Sequence, residues 1–301
     1  MQKQRIRKLI DQFPYLLMCI PALAWMLFFN ILPMSGIVIA FQNFQPTLGI
    51  FGSEWIGLSN FEYVFSISDV KRVVINTFYI ATAKIVLNLI IPLAFALLMN
   101  EVAHLRFKKI VQTVVYLPHF ISWVVLASII VNMFGYDGII NKALEVFDVE
   151  PRIYLSDANF FRWLIIVSDT WKEFGYGAVI YFAAFAAIDP TLFEAASIDG
   201  AGRWKQTLYI TIPSISTTIV LLTVLSLGNV LQAGFDQVFN MYNSMVYSTS
   251  DIIDTWVYRI GLTKLQFSLA TTVGLAKSVV SLVLILASYW LAKKLTDYTI
   301  F

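Results

Sequence analysis

The sequence predicts an all-α integral membrane protein that crosses the bilayer with six helices. Three observations carry that expectation. Of 301 residues, 58% are hydrophobic and only 13% are charged, where an average soluble domain carries roughly a quarter. Mean hydropathy is +0.74. The apolar residues also gather in unbroken runs of about 20 or more, the length a helix needs to cross a bilayer core. Barrel strands would instead alternate at every second position.

The runs fall at roughly residues 14–41, 73–100, 110–134, 161–187, 213–235 and 266–292. A basic start, MQKQRIRKLI, precedes the first, an arrangement shared with secretory signals. Residues 12–53 carry no charge, far longer than a signal's apolar region. Met18 stands before Cys19 where a lipoprotein site wants a small residue, so the segment reads as an uncleaved span. Pro92 in the second run and Pro118 in the third are expected to kink their helices. His119, beside that second proline, reads as a packing residue in preference to a proton carrier.

Orientation follows from Lys and Arg. A cytoplasmic amino terminus puts eleven of them in inside segments and six in outside loops. Both termini are then cytoplasmic, with residues 1–13 forming a cytoplasmic N-terminus and 14–301 one six-span domain. Residues 42–72, 135–160 and 236–265 lie outside, and 101–109 and 188–212 lie inside.

Composition excludes several functions. A single cysteine forbids an internal disulfide and any site built from several thiolates. Two histidines, His104 and His119, are too few for a zinc constellation, and the basic residues sit in small separated groups. No H-E-x-x-H or G-x-S-x-G occurs, so no enzymatic constellation, metal or cofactor is expected on this chain. None of the 14 glycines is followed by lysine, so the phosphate cradle of P-loop ATPases is absent. Any nucleotide-driven work must come from another chain.

The inside segment 188–212 is sharply punctuated. Asp189-Pro190 signals a helix start, an acceptor at the cap and proline at the first position. PTLFEAASID can then run for about ten residues, roughly 15 Å. Gly200 and Gly202 let the chain turn, and an amphipathic stretch, RWKQTLYITI, leads to Pro213 and the fifth span. By shape alone this is either an ordinary helical connector or a helix that docks in a partner's groove.

Glu194-Ala195-Ala196, three residues, Gly200, nine residues, then Ile210-Thr211-Ile212-Pro213 resembles the signature E-A-A-x3-G-x9-I-x-L-P of ABC-importer permeases, with Ile212 replacing Leu. Residues 55–65 (WIGLSNFEYVF), 100–122 (NEVAHLRFKKIVQTVVYLPHFIS) and 199–213 (DGAGRWKQTLYITIP) look like carbohydrate-uptake permeases. They are most similar to the subgroup taking up oligosaccharides from complex polysaccharides. The resemblance implies the type I ABC importer permease fold, with a coupling helix that enters a cleft on an ATPase subunit. Glu194, Ala195, Ala196 and Gly200 become ATPase-coupling residues, with Asp199 and Arg203 beside them. It further implies two cytoplasmic ATPase subunits carrying ATP and Mg, a second permease, favoured as a paralogue, and an extracellular solute-binding protein. Trp55, Glu62, Asp137, Glu150, Asp157 and Asp254 are outer-loop candidates for docking that protein, each more simply a solvated side chain.

Charge within the hydrocarbon raises a functional question. The fourth run holds SDTWKEFGYG, in which Asp169, Lys172 and Glu173 border one helical face. They form either a self-neutralising pair or a sugar-binding wall, with Trp171 and Tyr176 as stacking faces. Asn229 and Gln232, three residues apart in the fifth run, would share nearly one face, and amides both donate and accept hydrogen bonds to sugars. Helix–helix hydrogen bonding is the competing role. Lys84 and Lys277 are lone basic residues in the second and sixth runs, and Lys277 is expected to pair with a carboxylate. An ion-coupled secondary transporter of a polar solute remains the alternative; it explains the spans and Asp169/Lys172 but not the Glu-Ala-Ala loop.

Overall fold

The computed structural model describes Tyr15 and residues 17–295, so the expectation for residues 1–13 lies outside the described residues. Helix α1 (Leu17–Phe41) leads into a small antiparallel hairpin, β1 (Gln42–Asn43) on β2 (Glu54–Trp55), with Gln42 opposite Trp55. Helices α2 (Ser59–Ser66) and α3 (Ser68–Asn100) follow. Next come α4 (Leu105–Tyr116), α5 (Trp123–Phe134), α6 (Ile139–Glu145) and α7 (Ala158–Ala186). The chain continues through α8 (Pro190–Ile198), α9 (Arg203–Ser214) and α10 (Ser216–Leu227). It closes with α11 (Phe235–Met241), α12 (Ile253–Tyr258) and α13 (Phe267–Leu295).

Among the described residues, four helices are long and apolar enough to cross a membrane: α1, α3, Trp123–Glu145 and α13. Two bent pairs, α7 with α8 and α9 with α10, bring the number to as many as six by length and composition.

Lipid offers little hydrophobic gain between apolar helices, so close approach decides how they pack. Helices α3 and α7 form the most extensively packed pair. Ala96 and Ala178 are fully buried there, and a Cβ added at Gly177 would sit 3.2 Å from Pro92 Cγ. Gly175 admits α4, because a Cβ at that position would overlap the Val115 carbonyl. Ile80, Phe161, Ile165 and Ile166 continue the core toward Leu126 and Ala127 of α5 and Val238 of α11.

Two of the six apolar runs are broken where hydropathy shows no interruption. Within the third, α4 stops at Tyr116, Leu117–Phe120 forms a tight turn, and Ile121 is extended with φ −79° and ψ 130°. Leu117, just before the proline, is still helical at φ −55° and ψ −43°, so the helix is lost only at Ile121, and Ser122 restarts it by accepting from Val125 N–H. The expected kink at Pro118 is thus a full break. At Pro92, by contrast, α3 continues across the proline. The Tyr181 hydroxyl donates to the Leu89 carbonyl nearby at 3.2 Å.

The fifth run also differs from expectation. Its helix begins at Arg203, well before residue 213, and Pro213 lies inside α9. Proline supplies no N–H to the carbonyl four residues back; just upstream the helix widens over Thr207–Thr211, and Ile212 N–H reaches the Thr207 carbonyl. A 58° bend separates α9 from α10. The helix then ends at Leu227 and residues 228–234 are irregular, with Gly234 at φ +91°.

Candidate functional site

The coupling segment is built as its sequence signals. Asp189 accepts from Thr191 N–H at 2.9 Å, Pro190 takes the first helical position, and α8 runs nine residues to Ile198. That backbone bond holds the Asp189 carboxyl below the usual carboxylate range. At the other end Gly200 adopts φ +78°. Its N–H reaches the Ser197 carbonyl at 3.1 Å, and Ala201 N–H reaches Ala196 at 2.8 Å. These paired bonds close a helix with a left-handed residue just past its end, the position glycine favours. Gln206 pins the turn from the next helix, donating to Ser197 Oγ and the Ala201 carbonyl, both at 3.0 Å.

Helix α8 leaves α7 at 71° after a three-residue link, so it projects sideways from the end of a long span. Glu194, Ala195, Asp199 and Gly200 are exposed, and Ala196 is half-buried. Arg203 reaches Glu101, the residue after α3, at 3.6 Å. Ile198 and Trp204 are 87% and 77% exposed, with Leu192 also uncovered. A capped, slender helix beside bare apolar side chains is a docking element in shape.

Inside the helical bundle the self-neutralising pair of the fourth run forms between Lys172 and Glu173, while Asp169 turns to another helix. Asp169 does not meet Lys172. It accepts from Lys84 at 3.1 Å and from Asn88 Nδ2 at 3.1 Å, both on α3, and its side chain is 15% exposed. Lys84 spends its other two protons on the Ala233 carbonyl at 2.7 Å and Gln237 Oε1 at 2.5 Å. The Gln237 amide donates back to the Ile165 carbonyl at 2.7 Å and Ser168 Oγ at 2.9 Å. Lys172 is buried and donates to the His119 carbonyl at 2.8 Å and Glu173 Oε1 at 2.9 Å. His119 Nδ1 lies 2.7 Å from Glu173 Oε2.

Each buried lysine therefore caps a break. Irregular backbone at membrane depth persists only where its polar groups find partners inside the protein. Lys172 serves the 117–122 break through His119, and Lys84 serves the 228–234 break through Ala233. Asp169 and Glu173, both on α7, neutralise them. Lys84 spends all three protons in these bonds and Lys172 two, and both lysines are buried, while Asp169 stays 15% exposed. The lone charge at Lys84 and the cluster of Lys172 with Asp169 and Glu173 were visible in the sequence; the carbonyl partners, Asn88 and Gln237 were not.

The aromatic pair is also corrected. Along a continuous helix, residues five apart stand about 140° from one another, so Trp171 and Tyr176 cannot form one wall. Tyr176 lies on the Glu173 side and stacks on His119 with centroids 4.0 Å apart and planes 4° from parallel. Trp171 faces away from it, and the two are 48% and 49% exposed. His119 is thus a partner in a polar aromatic platform, beyond simple packing. Asn229 and Gln232 are exposed, but in a turn and not on a helical face, with Gln232 N–H donating to the Asn229 carbonyl at 2.8 Å.

Among the outer candidates, Asp157 caps α7 by accepting from Asn159 and Phe160 N–H. Asp254 is no solvated side chain: it pairs with Lys277 at 2.5 Å, the carboxylate expected for that lysine. Trp55, Glu62, Asp137 and Glu150 are exposed.

Known proteins share this architecture. Residues 89–297 match the family described as binding-protein-dependent transport system inner membrane component. Protein LplB of Bacillus subtilis is 41% identical over 97% of this chain and 92% of its own length. The polygalacturonan/rhamnogalacturonan transport system permease protein YteP of the same organism is 40% identical over 100% of this chain and 94% of its own length. A crystal structure of a bacterial ABC transporter involved in import of the acidic polysaccharide alginate contains a chain 33% identical, with TM-score 0.89, covering 97% of this chain and 99% of that one. A second, of the alginate transporter with an alginate pentasaccharide-bound periplasmic protein, matches at 32% identity and TM-score 0.88 over 98% of this chain and 99% of that one. Membership decides between the two transport classes that the spans and buried charges left open. The chain belongs to the family of binding-protein-dependent transport system inner membrane components, the membrane-embedded permease subunits of ABC importers.

Proposed function

We propose that this permease imports an oligosaccharide cut from a complex polysaccharide, delivered by a solute-binding protein and driven by ATPase subunits docked on α8. The observation that carries the reading is the coupling segment itself. A nine-residue helix capped at both ends, set 71° from α7 and edged by exposed Ile198 and Trp204, is a shape with no use to the isolated chain. Glu194, Ala195, Ala196 and Gly200 are its coupling residues, with Asp199 and Arg203 at the rim. The loop 188–212 and both termini are then cytoplasmic.

One such helix serves one ATPase lobe, so a second permease, a paralogue, supplies the other. ATP and Mg belong to the two ATPase subunits, and this chain performs no hydrolysis and holds no cofactor. Closure of the lobes draws the coupling helices together and opens a midplane cavity between the two permeases outward; hydrolysis reverses it. A ligand shifts such states only through different affinities for them.

For the sugar, Tyr176 on His119 offers a flat face to a pyranose, with Glu173 accepting hydroxyl protons. Asn229 and Gln232 offer amides from the 228–234 break, and Trp171 provides a second, separate ring. YteP is named for polygalacturonan and rhamnogalacturonan, and the solved relatives import alginate. All three polymers contain uronate, so uronate oligosaccharides are the first substrates to try. The test is uptake by proteoliposomes holding both permeases and the ATPases, with the binding protein and labelled oligogalacturonide or oligoalginate outside. ATP-dependent accumulation supports the reading. Accumulation driven by an ion gradient without ATP would reject it.

A further inference from the structure

Lys84 does more than neutralise a charge. Its ammonium meets three acceptors from three elements: Asp169 on α7, the Ala233 carbonyl in the 228–234 break and Gln237 on α11. A primary ammonium has three protons, so the tripod is saturated. The site is also shaped for it. Gly234 sits at φ +91°, a backbone an L side chain rarely adopts, and a Cβ there would lie 3.0 Å from Lys84 Nζ, close enough to press on the ammonium. Gln237, fully buried on α11 just after the break, ties that helix back to Ile165 and Ser168 on α7. Every polar anchor of the break so described returns to α3 or α7.

The other end of α7 matters here. From Asp169 to Ala186 the helix is continuous, about 25 Å at 1.5 Å per residue. Three residues later it becomes α8. A rigid helix with the coupling element at one end and the tripod toward the other passes a tilt directly to whatever the tripod grips. A break held only by apolar packing in lipid would be free to lag.

We infer that Lys84 is a positioning residue that ties the break in the fifth span to α7, so that the segment carrying Asn229 and Gln232 moves with the coupling helix. This rests on the proposed drive through α8, which sugar uptake by the parent complex tests separately.

The test uses the whole transporter in proteoliposomes. Cys19 is exposed and unpaired, so it is replaced by Ser, and Asp236→Cys, an exposed position two residues past Gly234, reports on the break. A membrane-impermeant maleimide labels this cysteine with and without a non-hydrolysable ATP analogue. In the parent, the rate is expected to differ by roughly threefold or more between the two states. Lys84→Met with Asp169→Asn removes both charges, so no buried ion is stranded. Gln237→Met removes one acceptor, together with the amide's bonds to Ile165 and Ser168, and leaves the Lys84–Asp169 ion pair in place. Both are expected to assemble with the ATPases, and the nucleotide dependence of labelling is lost in the first and reduced in the second. Parent-like dependence in the charge-free variant overturns the inference, and so does a parent whose labelling ignores nucleotide. Should the charge-free variant not assemble, parent-like dependence in Gln237→Met overturns it.

Discussion

The Lys172 ammonium donates to the His119 carbonyl at 2.8 Å, joining the middle of α7 to the break between α4 and α5. The same lysine holds Glu173, which in turn holds the His119 ring. Lys172→Met would leave a carbonyl unmet and Glu173 with the imidazole alone. Because Glu173 is about a third exposed, the expected loss is about 2 kcal/mol, below the range for fully buried pairs. Thermal unfolding of the purified complex measures it. Lys172→Arg keeps a donor and a charge and should lose less.

Gly200 is required by its backbone. At φ +78° an L side chain is strained, by roughly 1 kcal/mol for a single residue. Gly200→Ala is expected to leave insertion and complex formation intact while lowering substrate-stimulated ATP hydrolysis several-fold. Glu194→Lys, on the exposed face of the same helix, should abolish that stimulation. Unchanged stimulation in both variants would remove α8 from the coupling path.

The Asp189 cap carries a pH signature. Its carboxyl is held below the usual range by the Thr191 N–H, so the folded form favours the carboxylate. The cap's contribution is therefore full above the unfolded value near 3.8 and is lost as pH falls through the lower folded one. At neutral pH, Asp189→Ala should weaken coupling and Asp189→Asn should restore it, because asparagine caps helices as well as aspartate. ATPase stimulation across the three forms checks this. Equal activity in all three would mean that the cap does not matter to docking.

Tyr176 and Trp171 stand on different sides of α7, and their effects should be independent. Tyr176→Ala is expected to raise the half-saturating sugar concentration about tenfold, near 1.4 kcal/mol of binding. Trp171→Ala should act separately, so the double variant shows the sum of the two. Uptake at graded oligogalacturonide concentrations gives all three values. A double variant no worse than Tyr176→Ala alone would mean that both rings belong to one contact.

What could be read from sequence was what local chemistry decides. Asp189, Pro190 and Gly200 set the ends of α8 through bonds within a few residues, and their roles followed directly from spacing. The apolar runs gave the spans because lipid exposure depends on composition. The breaks escaped because LPHFIS and GNVLQAG carry no Asp, Glu, Lys or Arg and sit inside long apolar runs, and hydropathy does not register backbone conformation. The buried charges escaped for a different reason. Helical spacing set Asp169 beside Lys172, but a lysine stem is long, and each ammonium went to a carbonyl freed elsewhere: His119, 53 positions away, and Ala233, 149 positions from Lys84. Such partners exist only once the chain is folded.

Coupling requires that α8 be held by a separate nucleotide-driven subunit. A photo-crosslinker placed at Glu194 in the assembled, transporting complex tests this most directly. The expected product is a covalent adduct with the ATPase subunit whose yield changes when ATP is bound. Adducts only with lipid or with this chain's own neighbouring segments would contradict it.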